Sequence, residues 1–305
     1  MTNISLATDV VIISGATASG KSSFAISLAK KVKKAVIINA DSAQVYTNAP
    51  ILANIPTEAE RQGVSHKLFA LQPITEYFSV MMWLQLVKQE ISQAQAKGML
   101  PIVVGGSAMY LLSLLEGISP IPSNILYRTK SENLYEKKGH LEFVNLVSKV
   151  DPIFVEKFQD KQRLIRAYEI YLYSGQPFSF WQNQAKEKVV NKNFVHLHIH
   201  KTKEEIYENI NARFETMLKQ GAENEVRTVL QTTTNPLHLK KILGLFDLAR
   251  YITGEITLAE AVIICKQKSR NYAKRQLTFF KNKMPNKKII EIENNISNIA
   301  LNILQ

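Results

Sequence analysis

The sequence predicts an α/β fold in which a parallel sheet is covered by helices, with a helical insertion and a helical C-terminal part. Short apolar runs alternate with long helical patterns, a glycine-rich turn joins the first run to the first helix, and the strand pattern stops between residues 122 and 193. We therefore expect a first core part at 1–121, a helical insertion at 122–193 and a second core part at 194–305.

The predicted strands are short apolar runs bounded by Gly, Asp or polar residues. They span residues 10–14, 35–40, 100–104 and 194–199. The first run precedes a predicted helix at 21–34, and the third follows a helix with one apolar face, formed by Trp83, Leu84, Val87, Ile91 and Ala94. Strands and helices that alternate in this way favour a parallel sheet with both faces covered.

The insertion and the last third of the chain have helical patterns. Within 122–193, apolar residues recur at helical spacing at Leu134, Leu141, Phe143, Leu146, Val147, Leu164, Ile165, Tyr168 and Leu172. Beyond it, Thr202 and Glu205 form a predicted capping box, and Gly221 marks a helix end. Between them runs an apolar stripe of Ile206, Ile210, Phe214 and Met217. We expect the last third to be mainly helical.

The composition indicates a polyanionic partner. Lys and Arg number 38 against 26 Asp and Glu, a formal charge of +12 that attracts nucleic acid or an acidic surface. The single cysteine, Cys265, cannot form an internal disulfide, which agrees with a cytoplasmic location. The apolar run at 10–13 is much shorter than a membrane span, and the N-terminus lacks a leader pattern, so no membrane partner is expected.

A phosphate-binding loop is the most specific motif in the sequence. Residues 15–22 read G-A-T-A-S-G-K-S and match G-x-x-x-x-G-K-[ST] between a predicted strand and a predicted helix, as in P-loop NTPase-like folds. Backbone N–H groups of such a loop cradle phosphates, Lys21 would neutralise one, and Ser22 would hold Mg²⁺. The predicted phosphate-binding residues are Gly15, Ala16, Thr17, Ala18, Ser19, Gly20, Lys21 and Ser22.

The ends of two other strands bear on the reaction class. The run that ends at residues 103–107 reads V-V-G-G-S and has no carboxylate, whereas kinases and NTPases need an acidic metal ligand in such a place. The second run ends instead at Asp41 and Ser42. Asp41 therefore supplies one carboxylate near the phosphate end of the sheet, where it can hold a metal or accept a proton.

With these motifs in this order, the sequence resembles the tRNA dimethylallyltransferase (isopentenyltransferase) family. The resemblance covers nearly the whole chain. It is carried by G-A-T-A-S-G-K-S at 15–22, D-S-A-Q-V-Y at 41–46, G-G-S-A-M-Y at 105–110, Q-R-L-I-R-A at 162–167, R-F-E-T-M-L at 213–218, G-A-E-N-E-V at 221–226 and A-K-R-Q-L-T-F-F at 273–280.

The resemblance implies an activity, its partners and its cofactor. The family moves a dimethylallyl group from dimethylallyl diphosphate to the N6 amine of the adenine at position 37 of tRNA, next to the anticodon, with Mg²⁺. In this chain Asp41 would be the general base. Ser107 stands where the family usually has Thr, and because Ser retains the hydroxyl it would keep that residue's catalytic role. We expect a monomer that binds tRNA and dimethylallyl diphosphate.

The resemblance also implies tRNA contacts. They fall on Asp41, Ser42, Ala43, Gln44, Ser107, Arg128, Gln162, Arg163, Leu164, Ile165 and Arg166. Arg128 stands one residue out of the family spacing. Lys274 and Arg275, on a predicted basic helix, are further candidate phosphate contacts, as are lysines between Lys281 and Lys288 unless they only form a solvated face.

Two segments depart from the family pattern. Residues 51–56 read I-L-A-N-I-P where the family has Gly-Thr-Ala-Lys-Pro, and residues 244–246 read G-L-F where it has Gly-Tyr followed by Lys or Arg. Both changes remove groups that would face tRNA. We expect an active enzyme with altered peripheral tRNA contacts.

Several residues have alternative interpretations. Arg227 is a candidate contact to the diphosphate or part of a solvated helix face, and Asp41 could be only a helix cap or metal ligand. His196, His198 and His200 share one strand face, where a half-buried strand explains them better than zinc. Packing is the favoured role of Trp83 and Trp181. At the level of the whole chain, the rivals are an ATP-dependent P-loop kinase and a non-catalytic RNA-binding protein.

Overall fold

The computed structural model describes residues 9–284 and the backbone of 288–291. The chain divides into two compact units, Glu116–Val189 and the remainder on both sides of it. We call them the insertion unit and the core unit. The expected boundaries of the insertion, 122 and 193, lie a few residues further along the chain than these.

The strands and helices have the following bounds. The strands are β1 Val10–Gly15, β2 Ala35–Asn39, β3 Ser65–Lys67, β4 Leu100–Gly105, β5 Phe194–His200 and β6 Lys288–Glu291. The helices are α1 Lys21–Val32, α2 Glu58–Arg61, α3 Val80–Ala96, α4 Ala108–Glu116, α5 Ile125–Lys138, α6 His140–Ser148, α7 Pro152–Lys157, α8 Lys161–Ser174, α9 Phe178–Gln182, α10 Lys203–Lys219, α11 Ala222–Thr232, α12 Pro236–Leu239, α13 Leu245–Ile252 and α14 Leu258–Lys283.

The core unit is built on a parallel sheet with strand order β3-β2-β4-β1-β5-β6. This confirms the predicted α/β class and the strands expected near 10–14, 35–40, 100–104 and 194–199. Sequence patterns missed β3 and β6; β3 is a polar Ser-His-Lys segment at the sheet edge, without the apolar residues that mark a strand. Because β1, β2 and β4 run parallel, the segments that follow them meet at one edge.

Helix α1 fixes the segment after β1 against the sheet. Phe24 and Leu28 of α1 pack with Val11 and Ile13 of β1 in one buried cluster. This packing holds the start of α1 directly after the glycine-rich turn. The predicted capping box of Thr202 and Glu205 is also confirmed, at the start of α10.

The insertion unit is helical, as its apolar spacing predicts. Helices α5 to α9 enclose a core that contains Phe143, Phe154, Leu164 and Ile165. The expected place of Leu141 in an apolar face is wrong, since 78% of its surface is exposed. It stands at the second position of α6, two residues before the buried Phe143, and residues two apart do not share a helix face.

The tryptophan predicted to pack in the core does so. Trp83 is fully buried, stacks on Tyr110 with ring centroids 4.6 Å apart, and donates from Nε1 to the backbone oxygen of Asn39 at 2.8 Å. Trp181 is half-buried and donates to Ser174 Oγ at 3.0 Å. Both contacts are those of packing residues.

The histidines of β5 face a serine of β1. His196 Nε2 and His198 Nδ1 lie 2.7 and 2.8 Å from Ser14 Oγ, all three side chains are buried, and His200 is exposed. Within residues 9–284, His, Cys, Asp and Glu side chains form no group of three or more that could hold a metal ion. Over the same range, no helix combines the length and apolar character needed to cross a membrane.

Candidate active site

A cavity of about 540 Å³ opens at the sheet edge where β1 and β2 end. Its volume falls in the range of small-molecule sites, about 300–1,000 Å³. Its lining combines polar and charged side chains with apolar ones. The first group includes Thr17, Lys21, Ser22, Asp41 and Arg213, and the second includes Leu52, Ile210, Phe214, Met217 and Ile242. The cavity therefore suits a ligand with an anionic end and an apolar end.

The glycine-rich turn after β1 forms the anion-binding wall. Ala18 and Gly20 adopt left-handed backbone conformations, with φ of 63° and 88°, and so bend the chain into the N-terminus of α1. A helix N-terminus attracts anions through its unpaired N–H groups. Thr17, Ala18, Gly20, Lys21 and Ser22 line the cavity, whereas Ala16 and Ser19 are buried behind it.

Lys21 is electrostatically unusual. Its pKa is lowered from 10.5 to about 8, chiefly by burial; the Asp41 carboxylate acts in the opposite direction, and nearby Arg213 contributes a smaller lowering. Its Nζ lies 3.4 Å from the backbone oxygen of Ala16, which keeps the ammonium group over the loop. An anion in the cavity would favour the charged form of this lysine and so raise its pKa.

Arg213 is a cavity residue that the sequence patterns did not predict. Its Nη2 donates to Thr17 Oγ1 at 2.7 Å, and burial lowers the pKa of this guanidinium while Asp41 raises it. The sequence does contain a clue, because Arg213 falls three residues after Ile210 and four before Met217, on the apolar stripe of α10. A charged side chain is rarely buried unless it is paired, so a cation on the buried face of a helix predicts a specific hydrogen-bonding or ionic partner.

The turn after β2 presents Asp41. Its backbone N–H donates to Asn39 Oδ1 at 2.8 Å, and its own Oδ1 accepts from the Ala43 N–H at 3.1 Å. The carboxylate thus caps the turn and still lines the cavity with Ser42, Ala43 and Gln44. The capping interpretation and a chemical role are compatible.

Ser107 supports this turn rather than lining the cavity. It is 7% exposed, and its Oγ accepts from the Ser42 N–H at 2.8 Å and donates to Ser42 Oγ at 3.1 Å. A hydroxyl at this position is therefore sufficient to hold Ser42, which explains how Ser can replace the usual Thr.

Helix α14 supplies another side of the cavity. Tyr272 and Arg275 line it, whereas Lys274 is exposed elsewhere on the helix. Burial and the Asp41 charge raise the pKa of Tyr272, so the phenol stays neutral. Of the lysines expected between 281 and 288, Lys281 and Lys283 are exposed, while the side chains of the last two lie outside the described residues.

The structure does not bring Arg227 to the cavity. Val226 and Val229 form the buried face of α11, so Arg227 points into solvent. The proposed contact of Arg227 with the diphosphate is therefore wrong, and Arg213 occupies the cavity instead. Glu225, on the same helix, accepts from the Ile51 and Leu52 N–H groups at 2.9 and 3.2 Å and anchors the divergent segment 51–56.

The insertion unit gathers two of the expected tRNA-contacting arginines around one carboxylate. Arg128 Nη1 lies 3.6 Å from Glu169 Oε2, and Arg166 forms an ion pair with Glu169 Oε1. Gln162 accepts from Arg128 Nη2 at 2.9 Å, and Arg163 is exposed. The predicted tRNA contacts of Leu164 and Ile165 are wrong, because their side chains lie in the core of the insertion unit, are at most 1% exposed and cannot contact RNA.

Comparison with known proteins identifies the family. A family model described as IPP transferase matches residues 44–283. The chain belongs to the IPP transferase family. Among similar family members are the tRNA dimethylallyltransferase of Pelagibacter ubique, 38% identical over 90% of this chain and 89% of its own length, and that of Wolbachia pipientis subsp. Culex pipiens, 37% identical over 96% and 99%.

Solved structures of the family share the fold. The full-length tRNA isopentenylpyrophosphate transferase of Bacillus halodurans is 28% identical, with a TM-score of 0.68 over 97% of this chain and 94% of its own. A eukaryotic dimethylallyltransferase that acts on tRNA is 24% identical and gives a TM-score of 0.76 over 95% and 74%. The second likeness concerns the fold alone.

Proposed function

We propose that this protein is a tRNA dimethylallyltransferase, which transfers the dimethylallyl group of dimethylallyl diphosphate to the N6 amine of the adenine next to the anticodon. The supporting observation is one cavity whose lining combines a phosphate-binding loop, a carboxylate and apolar side chains. The diphosphate would bind at the loop, and the short prenyl group would contact the apolar side chains. Family membership supports tRNA as the acceptor.

Asp41 is the group that takes the proton. The lone pair of an adenine amine is delocalised into the ring, so the amine attacks well only as its proton is removed. The bond from N6 to the first prenyl carbon forms, the bond from that carbon to the diphosphate oxygen breaks, and the N6 proton passes to Asp41. General-base assistance of this kind is worth about 10²–10⁴-fold.

Cationic and N–H groups of the same cavity stabilise the leaving group. Pyrophosphate departs with two electrons and gains negative charge, which Lys21, Arg213 and the N–H groups at the start of α1 would meet. Arg213 is held by Thr17 Oγ1, so it is preorganised before the donor arrives. Preorganised cations in a partly buried site stabilise developing charge more than they would in water.

The residues present fit a magnesium ion. Mg²⁺ prefers oxygen ligands and commonly keeps waters, so it needs few protein groups beyond the phosphates. Ser22 Oγ would hold it, and Asp41 lines the same cavity. When bound, Mg²⁺ would neutralise charge on the diphosphate.

Recognition of tRNA would use basic surfaces of both units. In the core unit Arg275 lines the cavity and Lys274 is exposed; in the insertion unit Arg128 and Arg166 are fixed by Glu169. Phosphate contacts of this kind set register and supply most of the affinity. We further propose that the protein works in the cytoplasm as a monomer.

A comparison of acceptors tests this function against its rivals. The protein is incubated with labelled dimethylallyl diphosphate and Mg²⁺, and with tRNA, AMP or ATP as the acceptor. Label should enter tRNA alone. Label in AMP would indicate a nucleotide prenyltransferase, phosphate transfer from ATP to any acceptor would indicate a kinase, and tRNA binding without transfer would indicate an RNA-binding protein.

A further inference from the structure

Gln276 of α14 connects the phosphate loop to the end of β4. Its side chain is 3% exposed, its Oε1 accepts from the Thr17 N–H at 2.8 Å, and its Nε2 donates to the Gly106 backbone oxygen at 2.7 Å. An amide can make both bonds because it carries an acceptor on one side and a donor on the other. The side chain therefore spans two segments that are distant in sequence.

Glycine at 106 permits this bridge. A Cβ added to Gly106 would lie 2.4 Å from Gln276 Nε2 and 3.2 Å from the Gly15 backbone oxygen. No Cβ contact is that short without displacement of the amide. The backbone of the β4 end is thus shaped around the glutamine side chain, and the same close approach brings it near the start of the phosphate loop.

The bridge continues to Asp41. Ser107, next to Gly106, accepts from the Ser42 N–H at 2.8 Å, and Ser42 follows Asp41. On the other side, Thr17 receives the hydrogen bond of Arg213 at its Oγ1 while its N–H is committed to Gln276. The chain of contacts therefore runs from the donor-binding loop through Gln276 to the turn that carries the general base.

We propose that Gln276 is a positioning residue that holds the phosphate loop and the Asp41 turn in register, so that donor carbon, amine and base align. This inference rests on the proposed transferase function. It differs from a role in RNA binding, although Gln276 directly follows Lys274 and Arg275, because its side chain is buried and its hydrogen bonds to Thr17 and Gly106 go to backbone groups. Misalignment of the reacting atoms lowers the rate of the chemical step, because that rate depends on how precisely the reactants are positioned.

Three variants test whether Gln276 positions the phosphate loop relative to the Asp41 turn. Gln276→Met keeps the length and approximate volume but makes neither hydrogen bond. Gln276→Glu, when ionised, can still accept from Thr17 but cannot donate to Gly106; when protonated, it can do both. Gln267→Glu is the matched control, because Gln267 is an exposed residue of the same helix and the charge change is identical.

Binding and chemistry are measured separately. Calorimetry with inorganic pyrophosphate measures binding at the phosphate loop. The single-turnover rate of transfer to tRNA at saturating donor reports the alignment of the reacting groups, and filter binding measures tRNA affinity. We expect Gln276→Met to lower the single-turnover rate roughly ten- to hundredfold and to weaken pyrophosphate severalfold, with tRNA affinity unchanged. Gln267→Glu should match the parent in all three.

The pH dependence separates positioning from simple packing. The rate of Gln276→Glu relative to the parent at the same pH should rise as pH falls, because protonation restores the donor to Gly106. The relative rate of Gln276→Met should be independent of pH. This comparison also carries the test if Gln276→Met does not fold.

The outcomes are distinguishable. Parent-like rate and pyrophosphate affinity in Gln276→Met, or a relative rate of Gln276→Glu that does not change with pH, would overturn the inference. A parallel loss of tRNA affinity, rate and melting temperature would also overturn it, since that pattern indicates a purely structural role. Absence of transfer by the parent would instead refute the proposed function, while pyrophosphate binding still reports on Gln276.

Discussion

Raising the pH should weaken donor binding through one residue, Lys21. Burial and Arg213 lower the pKa of Lys21 to about 8, against the opposing charge of Asp41. Below pH 8 most of the free protein carries Lys21 in the ammonium form, and above pH 8 most carries it as the neutral amine. Only the charged form pairs with the diphosphate, so binding above pH 8 must take up a proton.

The size of the effect follows from that value. With a pKa of about 8, roughly nine-tenths of Lys21 is charged at pH 7 and roughly one-tenth at pH 9. Apparent affinity scales with the competent fraction, so the dissociation constant of the donor should rise about tenfold over this interval. A lysine with its ordinary pKa of 10.5 would leave affinity almost constant.

Calorimetry in two buffers of different ionisation enthalpy measures both the affinity and the proton uptake. The matched control is Lys21→Arg, which stays charged across the range and also corrects for ionisation of the ligand. We expect close to one proton taken up by the parent at pH 9 and about none at pH 7, with little uptake by the variant at either pH. If the dissociation constant and the proton uptake stay constant between pH 7 and pH 9 in both the parent and Lys21→Arg, the reasoning is refuted.

Three further predictions concern the base, the RNA surface and the divergent segment. Asp41→Asn keeps the shape of the side chain but cannot take a proton, so single-turnover transfer should fall by about 10²-fold or more with tRNA affinity intact; a parent-like rate excludes the general-base role. Arg166→Ala, Lys274→Ala and Arg275→Ala should each reduce the slope of log affinity for tRNA against log salt by about one unit if the side chain meets a phosphate, and slopes equal to the parent's would place the RNA elsewhere. Burial raises the pKa of Glu225 from 4.5 to about 7, so its contribution to folding stability is fully present below pH 4.5 and is lost as pH rises to 7; thermal unfolding of Glu225→Gln should lack that decline, and an identical decline in both proteins contradicts the assignment.

Local sequence patterns predicted the part of the fold that positions the site. The phosphate loop could be predicted because a strand, a turn with glycines and an amphipathic helix each have their own signature over about 20 residues. Asp41 could be placed at the same edge, since parallel strands end together. The edge strand β3 could not, because pairing with β2 and not side-chain burial makes Ser65–Lys67 a strand.

Long-range contacts explain what the sequence left open. Arg213 reaches Thr17 across 196 positions, and Gln276 reaches it across 259, so neither role can be read from local spacing. For Arg227 and Leu164, in contrast, the sequence predicted a role that the structure does not support. Each lies in or beside a family-like segment, but helical periodicity turns Arg227 to solvent and Leu164 into the core.

The most direct test of the proposed transfer is the identity and stoichiometry of its products. The protein is incubated with dimethylallyl diphosphate, Mg²⁺ and a tRNA that carries adenine next to the anticodon, after which the tRNA is digested to nucleosides and analysed by mass spectrometry while pyrophosphate is quantified. One N6-dimethylallyl adenosine should appear for each pyrophosphate released, and replacing that adenine with guanine should abolish both. Pyrophosphate release without a prenylated nucleoside, or modification that persists after the replacement, would contradict the assignment.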